Sequence, residues 1–155
     1  MAIEAGIFSN NSSYSDRFIE DYTRLKELVE HMKGIGLKIV LTSGSFDFFH
    51  LGHAVYLEKA REHGDLLIVG VDSDEKVRAR KGSNRPLYPQ EERLQILVRQ
   101  RSVDIVTLKH RSEEQWQLIK CVCPDVLIAT QETYTSEEIE RLAEWCGEVI
   151  VLEPQ

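Results

Sequence analysis

Cysteine and proline are scarce in this chain, three of the one and four of the other among 155 residues. Cys121, Cys123 and Cys146 are odd in number, and Cys-Val-Cys is not a zinc-knuckle spacing. No second pair or neighbouring histidine completes four ligands. A disulfide framework and a structural zinc therefore find no support, and free thiols in a reducing, cytoplasmic setting are expected. Long apolar runs are missing too. None approaches the roughly 20 residues that cross a bilayer, and the first residues are not a basic stretch followed by an apolar one. Neither a membrane nor a secretory route is expected. The 42% hydrophobic and 29% charged residues, without repeats or low-complexity tracts, exclude a disordered chain and a coiled coil. Positive charge is the minority sign: 19 Lys and Arg against 26 Asp and Glu leave −7. Unspecific nucleic-acid binding is not expected, and a phosphate site must come from a local basic cluster.

What is present is alternation, at a length that suits one domain. Residues 1–15, ending in Ser9-Asn10-Asn11-Ser12-Ser13-Tyr14-Ser15, read as a flexible leader. Phe18, Tyr22, Leu25, Val29 and Met32 then recur at three and four residues. They form one stripe of a helix over 16–36, with Ser15 or Asp16 as N-cap and Gly34 or Gly36 at its end. Short apolar runs follow at 39–41, 66–71, 103–108, 126–128 and 149–152. Between them helices are predicted from Leu51 to His63 with Gly64 as C-cap, from Pro89 through Leu94 to Val98, around Glu113 to Cys121, and from Ser136 to Trp145 before Gly147. The run 66–71 is apolar on both faces, as a central strand requires. Such alternation means right-handed βαβ units. The fold class is α/β, a Rossmann-like, doubly wound sheet of five parallel strands with an extra N-terminal helix. These sheets bind ligands at the carboxyl ends of their strands, which directs attention to residues 42–53.

That stretch reads Thr42-Ser43-Gly44-Ser45-Phe46-Asp47-Phe48-Phe49-His50-Leu51-Gly52-His53. Gly44 permits a tight turn whose successive N–H groups face an anion. His50 and His53 stand three apart and project from one face of a helix start, where free N–H groups already favour phosphate. Gly52 between them leaves room for a base or a ribose. The stretch is neither Gly-x-x-x-x-Gly-Lys-Ser/Thr nor Gly-x-Gly-x-x-Gly, so a Walker loop and a dinucleotide redox site are excluded. Two histidines three apart are alone a weak signal. They read as phosphate donors, as satisfied structural side chains, or with Asp47 as metal ligands. Asp47 reads as a helix cap or as a contact to magnesium or an acceptor. Arg78, Arg80, Lys81 and Arg85 put four cations within eight positions, either a solvated loop or phosphate ligands at the same cleft. Arg93 and Arg101 begin and end one predicted helix. Arg93 reads as structural, and Arg101 either offsets the helix dipole or supports a phosphate.

At His50-Leu51-Gly52-His53 the chain resembles the nucleotidyltransferase superfamily that carries the His-x-Gly-His signature. Gly44-Ser45-Phe46-Asp47, Gly64-Asp65, Val71-Asp72-Ser73-Asp74, Arg85-Pro86, Glu92-Arg93 and Val103-Asp104 recur there in the same order. The resemblance covers about residues 25–152. It is strongest to the adenylyltransferase domain of ADP-heptose synthase, then to glycerol-3-phosphate cytidylyltransferase. It implies that a phosphate oxygen of an acceptor attacks the α-phosphorus of ATP or CTP, with magnesium, and that pyrophosphate leaves. It implies catalytic roles for His50, His53, Lys81 and Arg101, and nucleotide contacts from Gly44, Ser45, Phe46, Gly52, Asp72, Arg80 and Lys81. Acceptor contacts are implied for Asp47, Arg80 and Arg85, and a homodimer for the assembly. No resident metal site is implied. Transfer of AMP to a phosphorylated sugar leads, and transfer of CMP to a polyol phosphate follows. A nucleotide-binding regulatory module without catalysis is the reading from another class.

Two departures bear on this. The family's glycine-rich turn after the fourth strand is replaced by Ala129-Thr130-Gln131-Glu132-Thr133-Tyr134, so a pocket of different shape is expected. The sequence ends at Leu152-Glu153-Pro154-Gln155, where the family continues into a Ser/Thr-rich loop and a helix. Residues 37–155 are therefore expected to be a nucleotidyltransferase domain lacking that loop and helix, as a piece of a longer chain.

Overall fold

The computed structural model describes residues 12–155. Its strands are β1 Ile39–Gly44, β2 Leu66–Asp72, β3 Ile105–Lys109, β4 Val126–Ala129 and β5 Glu148–Val151. They form one parallel sheet in the order β3-β2-β1-β4-β5. Helices α1 Tyr14–Arg17 and α2 Tyr22–Gly34 precede the sheet. The crossovers carry α3 Leu51–Arg61, α4 Asp74–Lys81, α5 Gln90–Val98, α6 Gln117–Val122 and α7 Ser136–Leu142. This is the doubly wound Rossmann-like α/β architecture that the alternation predicts.

Period-two alternation splits the core into two layers. Ile39, Leu41, Leu66, Ile68 and Ile105 pack against Leu25, Val29 and Met32 of α2 and Leu118 of α6. Val40, Leu67, Val69, Val106 and Ile128 pack against Leu57 and Ala60 of α3 and Leu94 and Leu97 of α5. The winding reverses between β1 and β4. There the paired register covers only Val40↔Val126 and Leu41↔Leu127, whereas β1 and β2 stay in register from Ile39↔Leu66 to Gly44↔Val71. A crevice therefore opens above Leu41, at the place such sheets use for ligands.

Several local expectations are corrected. The helix expected over 16–36 is two helices, because Phe18 forms a parallel bridge with Val106 and the N–H of Ile19 donates to the Val106 carbonyl at 3.0 Å. Asp21 then starts α2 by accepting from the N–H of Thr23. Residues 1–11 of the expected leader lie outside the described residues, and Tyr14 and Ser15 belong to α1. Gly64 is not the cap of α3, a place taken by Glu62. A Cβ on Gly64 would stand 2.8 Å from the Lys38 carbonyl oxygen, so close chain approach demands the glycine. The basic run 78–81 lies in α4, capped by Ser73, rather than in a loop. α5 ends at Val98 and leaves Arg101 beyond it. The helix expected around Glu113 starts at Gln117, after Trp116 in the left-handed region. Among the described residues no helix is long and apolar enough to cross a membrane.

Candidate active site

The loop from β1 into α3 is held in an unusual shape. Phe46 and Phe48 both adopt positive φ, 49° and 54°, which costs a residue with a Cβ. Phe46 is buried, and a Cβ on Gly44 would meet its ring at 3.1 Å. Gly44 is thus the condition for the ring folding back under the loop. The loop is fastened by Arg93, whose guanidinium is 1% exposed. Its Nη1 donates to the carbonyls of Ser45 at 2.6 Å and Asp72 at 2.8 Å. Nε donates to the Tyr88 carbonyl at 3.0 Å, and Nη2 to the Asp74 carboxylate at 2.8 Å. A buried guanidinium is tolerated only when its donors are used in this way. The structural reading of Arg93 holds.

Asp47 belongs to the same scaffold. Its carboxylate accepts from the N–H groups of Leu87 at 2.8 Å and Tyr88 at 3.0 Å, with the Arg85 guanidinium 3.7 Å away. Burial pushes the Asp47 carboxyl up, but those two N–H groups together with Arg93 and Arg85 outweigh it and hold it below the usual value. Asp47 is not the expected helix cap, since both its oxygens are committed to the 87–88 backbone. Arg85 is turned to Asp47 and does not line the cleft.

The cap of α3 is His50 itself. Its Nδ1 accepts from the Gly52 N–H at 3.0 Å, and the Nδ1 of His53 accepts from the His50 N–H at 3.4 Å. The two imidazoles stack with centroids 4.0 Å apart and planes 21° apart. Phe46 meets His53 edge-on at 5.6 Å, and Phe49 tilts against it at 5.4 Å. A nitrogen that accepts from N–H carries a lone pair, so each ring keeps its proton on Nε2, assigned from these bonds. Burial depresses the His53 pKa, and the charges of His50 and Lys81 add to that. Each ring therefore presents an Nε2–H donor.

A cleft of about 690 Å³ opens in front of them. Residues 43–46, His50, Gly52, His53 and Tyr56 form one side, Arg80 and Lys81 a second, and Thr130, Glu132 and Thr133 a third. Lys81 Nζ donates to the Ser45 hydroxyl at 3.1 Å. Arg80 pairs at 3.0 Å with Asp72, whose side chain is only 2% exposed. Asp72 is thus tied to the cleft through the guanidinium it holds. At Gly52 the Gln155 carbonyl stands 2.5 Å from where a Cβ would sit. Arg101 is not brought to this cleft. It lines a separate cavity of about 580 Å³ beside Tyr14 and Arg17, and pairs at 3.0 Å with Glu58 on α3 while 88% exposed.

Two contributors escape the motif. Tyr56, one turn beyond His53, bonds the Thr42 hydroxyl at 2.8 Å, and Thr42 donates to the Ile128 carbonyl at 3.0 Å, stitching α3, β1 and β4 together. The glycine-free turn after β4 closes on itself: the Thr130 N–H donates to the Thr133 hydroxyl at 3.2 Å, and the two hydroxyls are 2.9 Å apart. The helical spacing of Tyr56 from His53 was the available signal for the first. Nothing in the spacing of the second announced a hydroxyl-pinned turn.

The comparisons with known proteins agree with this geometry. Residues 41–155 match the family model described as cytidylyltransferase-like. The bifunctional protein HldE of a Nitratiruptor species is 41% identical over 114 residues, covering 74% of this chain and 24% of that protein. HldE of Aliarcobacter butzleri is 39% identical over 120 residues, covering 77% and 25%. The chain thus spans about a quarter of the length of these curated relatives. A lipopolysaccharide core biosynthesis protein from Thermoplasma volcanium superposes with TM-score 0.62 at 27% identity, over 77% of this chain and 98% of that one. Pantoate-beta-alanine ligase from Francisella tularensis shares the fold at TM-score 0.65 and 14% identity, over 90% and 67%. With the family model running from β1 through the histidine loop to β5, the chain belongs to the cytidylyltransferase-like family and is a nucleotidyltransferase domain.

Proposed function

We propose that this domain transfers a nucleoside monophosphate, AMP before CMP, from a nucleoside triphosphate to a phosphorylated sugar. The observation that carries the reading is the stacked His50–His53 pair, with Nε2 donors at a cleft walled by Arg80 and Lys81. The acceptor's phosphate oxygen is already an anion, so no general base is required. A bond forms between that oxygen and the α-phosphorus, the bond to the β-phosphate oxygen breaks, and pyrophosphate leaves with the electron pair. Catalysis is then positioning and charge neutralisation. His50 and His53 donate to phosphate oxygens as charge grows, Lys81 and Arg80 offset it, and the N–H groups of Ser45 and Phe46 hold phosphate or ribose. Magnesium, bound with the triphosphate, would supply further charge neutralisation. Among the described residues no three His, Cys, Asp or Glu side chains converge to hold it.

The sugar phosphate is favoured by the HldE relatives and by the lipopolysaccharide core biosynthesis neighbour. A second reading, a nucleotide-binding module without turnover, is favoured by the Gln155 carbonyl over Gly52. Pyrophosphate release from ATP, CTP, GTP and UTP, each against sugar and polyol phosphates, decides between them. Release with ATP and a sugar phosphate supports the first. Saturable nucleotide binding without release from any pair supports the second. A cytoplasmic homodimer completes the proposal, and a sedimentation mass near 17.8 kDa would contradict the dimer.

A further inference from the structure

Behind the histidine wall, on the α2 and α6 side of the sheet, lies a row of polar side chains that the roles above leave unused. Residues of one register share a face, and Ser43↔Gly70↔Thr107 forms such a row across β1, β2 and β3. The next row is Asp72↔Lys109. The Thr107 hydroxyl is buried without a hydrogen-bond partner. Among the described residues no hydrogen bond or ion pair engages the Lys109 ammonium, and the Asp72 carboxylate beside it is paired to Arg80. The Lys109 stem does not run straight out along its strand. It leans back across β2, so that its Cδ, the Ser43 hydroxyl and the Leu118 Cδ2 lie 3.0, 2.9 and 2.5 Å from one point above Gly70. A side chain at 70 would displace all three. Ser43, at that same point, lines the cleft.

We propose that Lys109 binds the anionic phosphate of the acceptor at the Ser43 edge of the cleft. This rests on the nucleotidyl-transfer reading and adds a direction to it. The attacking oxygen and the departing pyrophosphate must lie on opposite sides of the α-phosphorus. His50 and His53 stand at the head of α3, which packs on one face of the sheet, and Lys109 rises from the other. A triphosphate tail on the histidine side thus leaves the Lys109 side for the nucleophile. Burial pushes the Lys109 pKa down, Asp72 and Glu113 oppose this and Lys76 and Arg80 add to it, so the ammonium stands partly desolvated where a phosphate would complete its shell.

The test uses the full chain and Lys109→Met, which keeps the stem and removes the charge. With the nucleotide side filled by a non-hydrolysable ATP analogue, inorganic phosphate is titrated by calorimetry. The substitution should weaken phosphate by about tenfold or more, the loss of one charge-assisted bond, and leave the analogue's Kd within about twofold. The KM of whichever sugar phosphate turns over should rise with kcat nearly unchanged. The variant's melting temperature should stay close to that of the wild type, because Met keeps the buried stem and, among the described residues, no hydrogen bond or ion pair ends on the ammonium. Unchanged phosphate affinity overturns the proposal, as does a loss confined to the nucleotide or a clear fall in melting temperature with either Lys109→Met or Lys109→Gln. If the analogue does not bind at all, the nucleotidyl-transfer reading is what fails. Phosphate titrated alone against wild type and variant then decides the Lys109 site by the same ratio.

Discussion

Arg93 and Ser45 lie 48 positions apart in sequence and meet at 2.6 Å, a buried guanidinium Nη1 donating to the carbonyl at the crest of the β1 loop. The same side chain takes the Asp72 and Tyr88 carbonyls and the Asp74 carboxylate, so one residue of α5 sets the mutual positions of three segments around the cleft. Arg93→Met should destabilise the fold by about 3–5 kcal/mol, since it leaves those acceptors buried and unpaired. Arg93→Lys, with one compact donor group in place of a fork, should recover only part of this. Urea unfolding midpoints check both, and a midpoint shift worth less than about 1 kcal/mol for Arg93→Met would show that the network is dispensable.

His50 does two jobs that substitution can separate. His50→Ala removes a helix cap, worth about 1 kcal/mol, and a phosphate donor worth roughly 10²-fold in turnover. His50→Asn keeps an N-cap oxygen for the Gly52 N–H but not the Nε2 donor. Stability should return in His50→Asn while turnover stays low. Restored turnover would mean that His50 matters only as the cap.

The pH dependence follows from His53. Its folded pKa lies below the ordinary 6.5, so the unfolded chain takes up a proton first as pH falls. The stability contribution is complete above about 6.5, declines below it, and is gone once pH has passed through the lower folded value. Protonation at Nδ1 also breaks the bond to the His50 N–H, so pyrophosphate release should decline over the same acidic window. Unfolding midpoints between pH 8 and 5, for wild type and His53→Asn, read the effect as a difference. Parallel curves would remove His53 as the cause.

Strands, the sheet and the location of the crevice were legible because burial on both faces leaves a plain signature in runs such as Leu66 to Val71. The histidine loop was legible because glycine and histidine types at that spacing narrow the chemistry. What escaped was partner choice. Phe18 sits at perfect helical spacing from Tyr22, yet its backbone pairs with Val106, 88 positions away in the chain by the numbering, and no local pattern encodes that bridge. Asp47 and Asp72 look alike as candidate ligands. One is spent on the Leu87 and Tyr88 N–H groups and the other on Arg80, and only the fold decides this. Arg101 was placed on a helix that stops before reaching it.

The short pairing of β1 with β4 gives the sheet a seam. To one side β1 is zipped to β2 along its whole length; to the other, two register pairs, the Ile39–Asp125 bonds at the strand start and the Thr42 hydroxyl join it to β4. Main-chain donors and acceptors that a longer ladder would have consumed stay available at the crevice for a ligand. A bound nucleotide would act there as a missing rung, and its arrival should slow amide exchange in β4 and β5 more than in β2 and β3. The part of the sheet with the least backbone pairing is the part left open for binding.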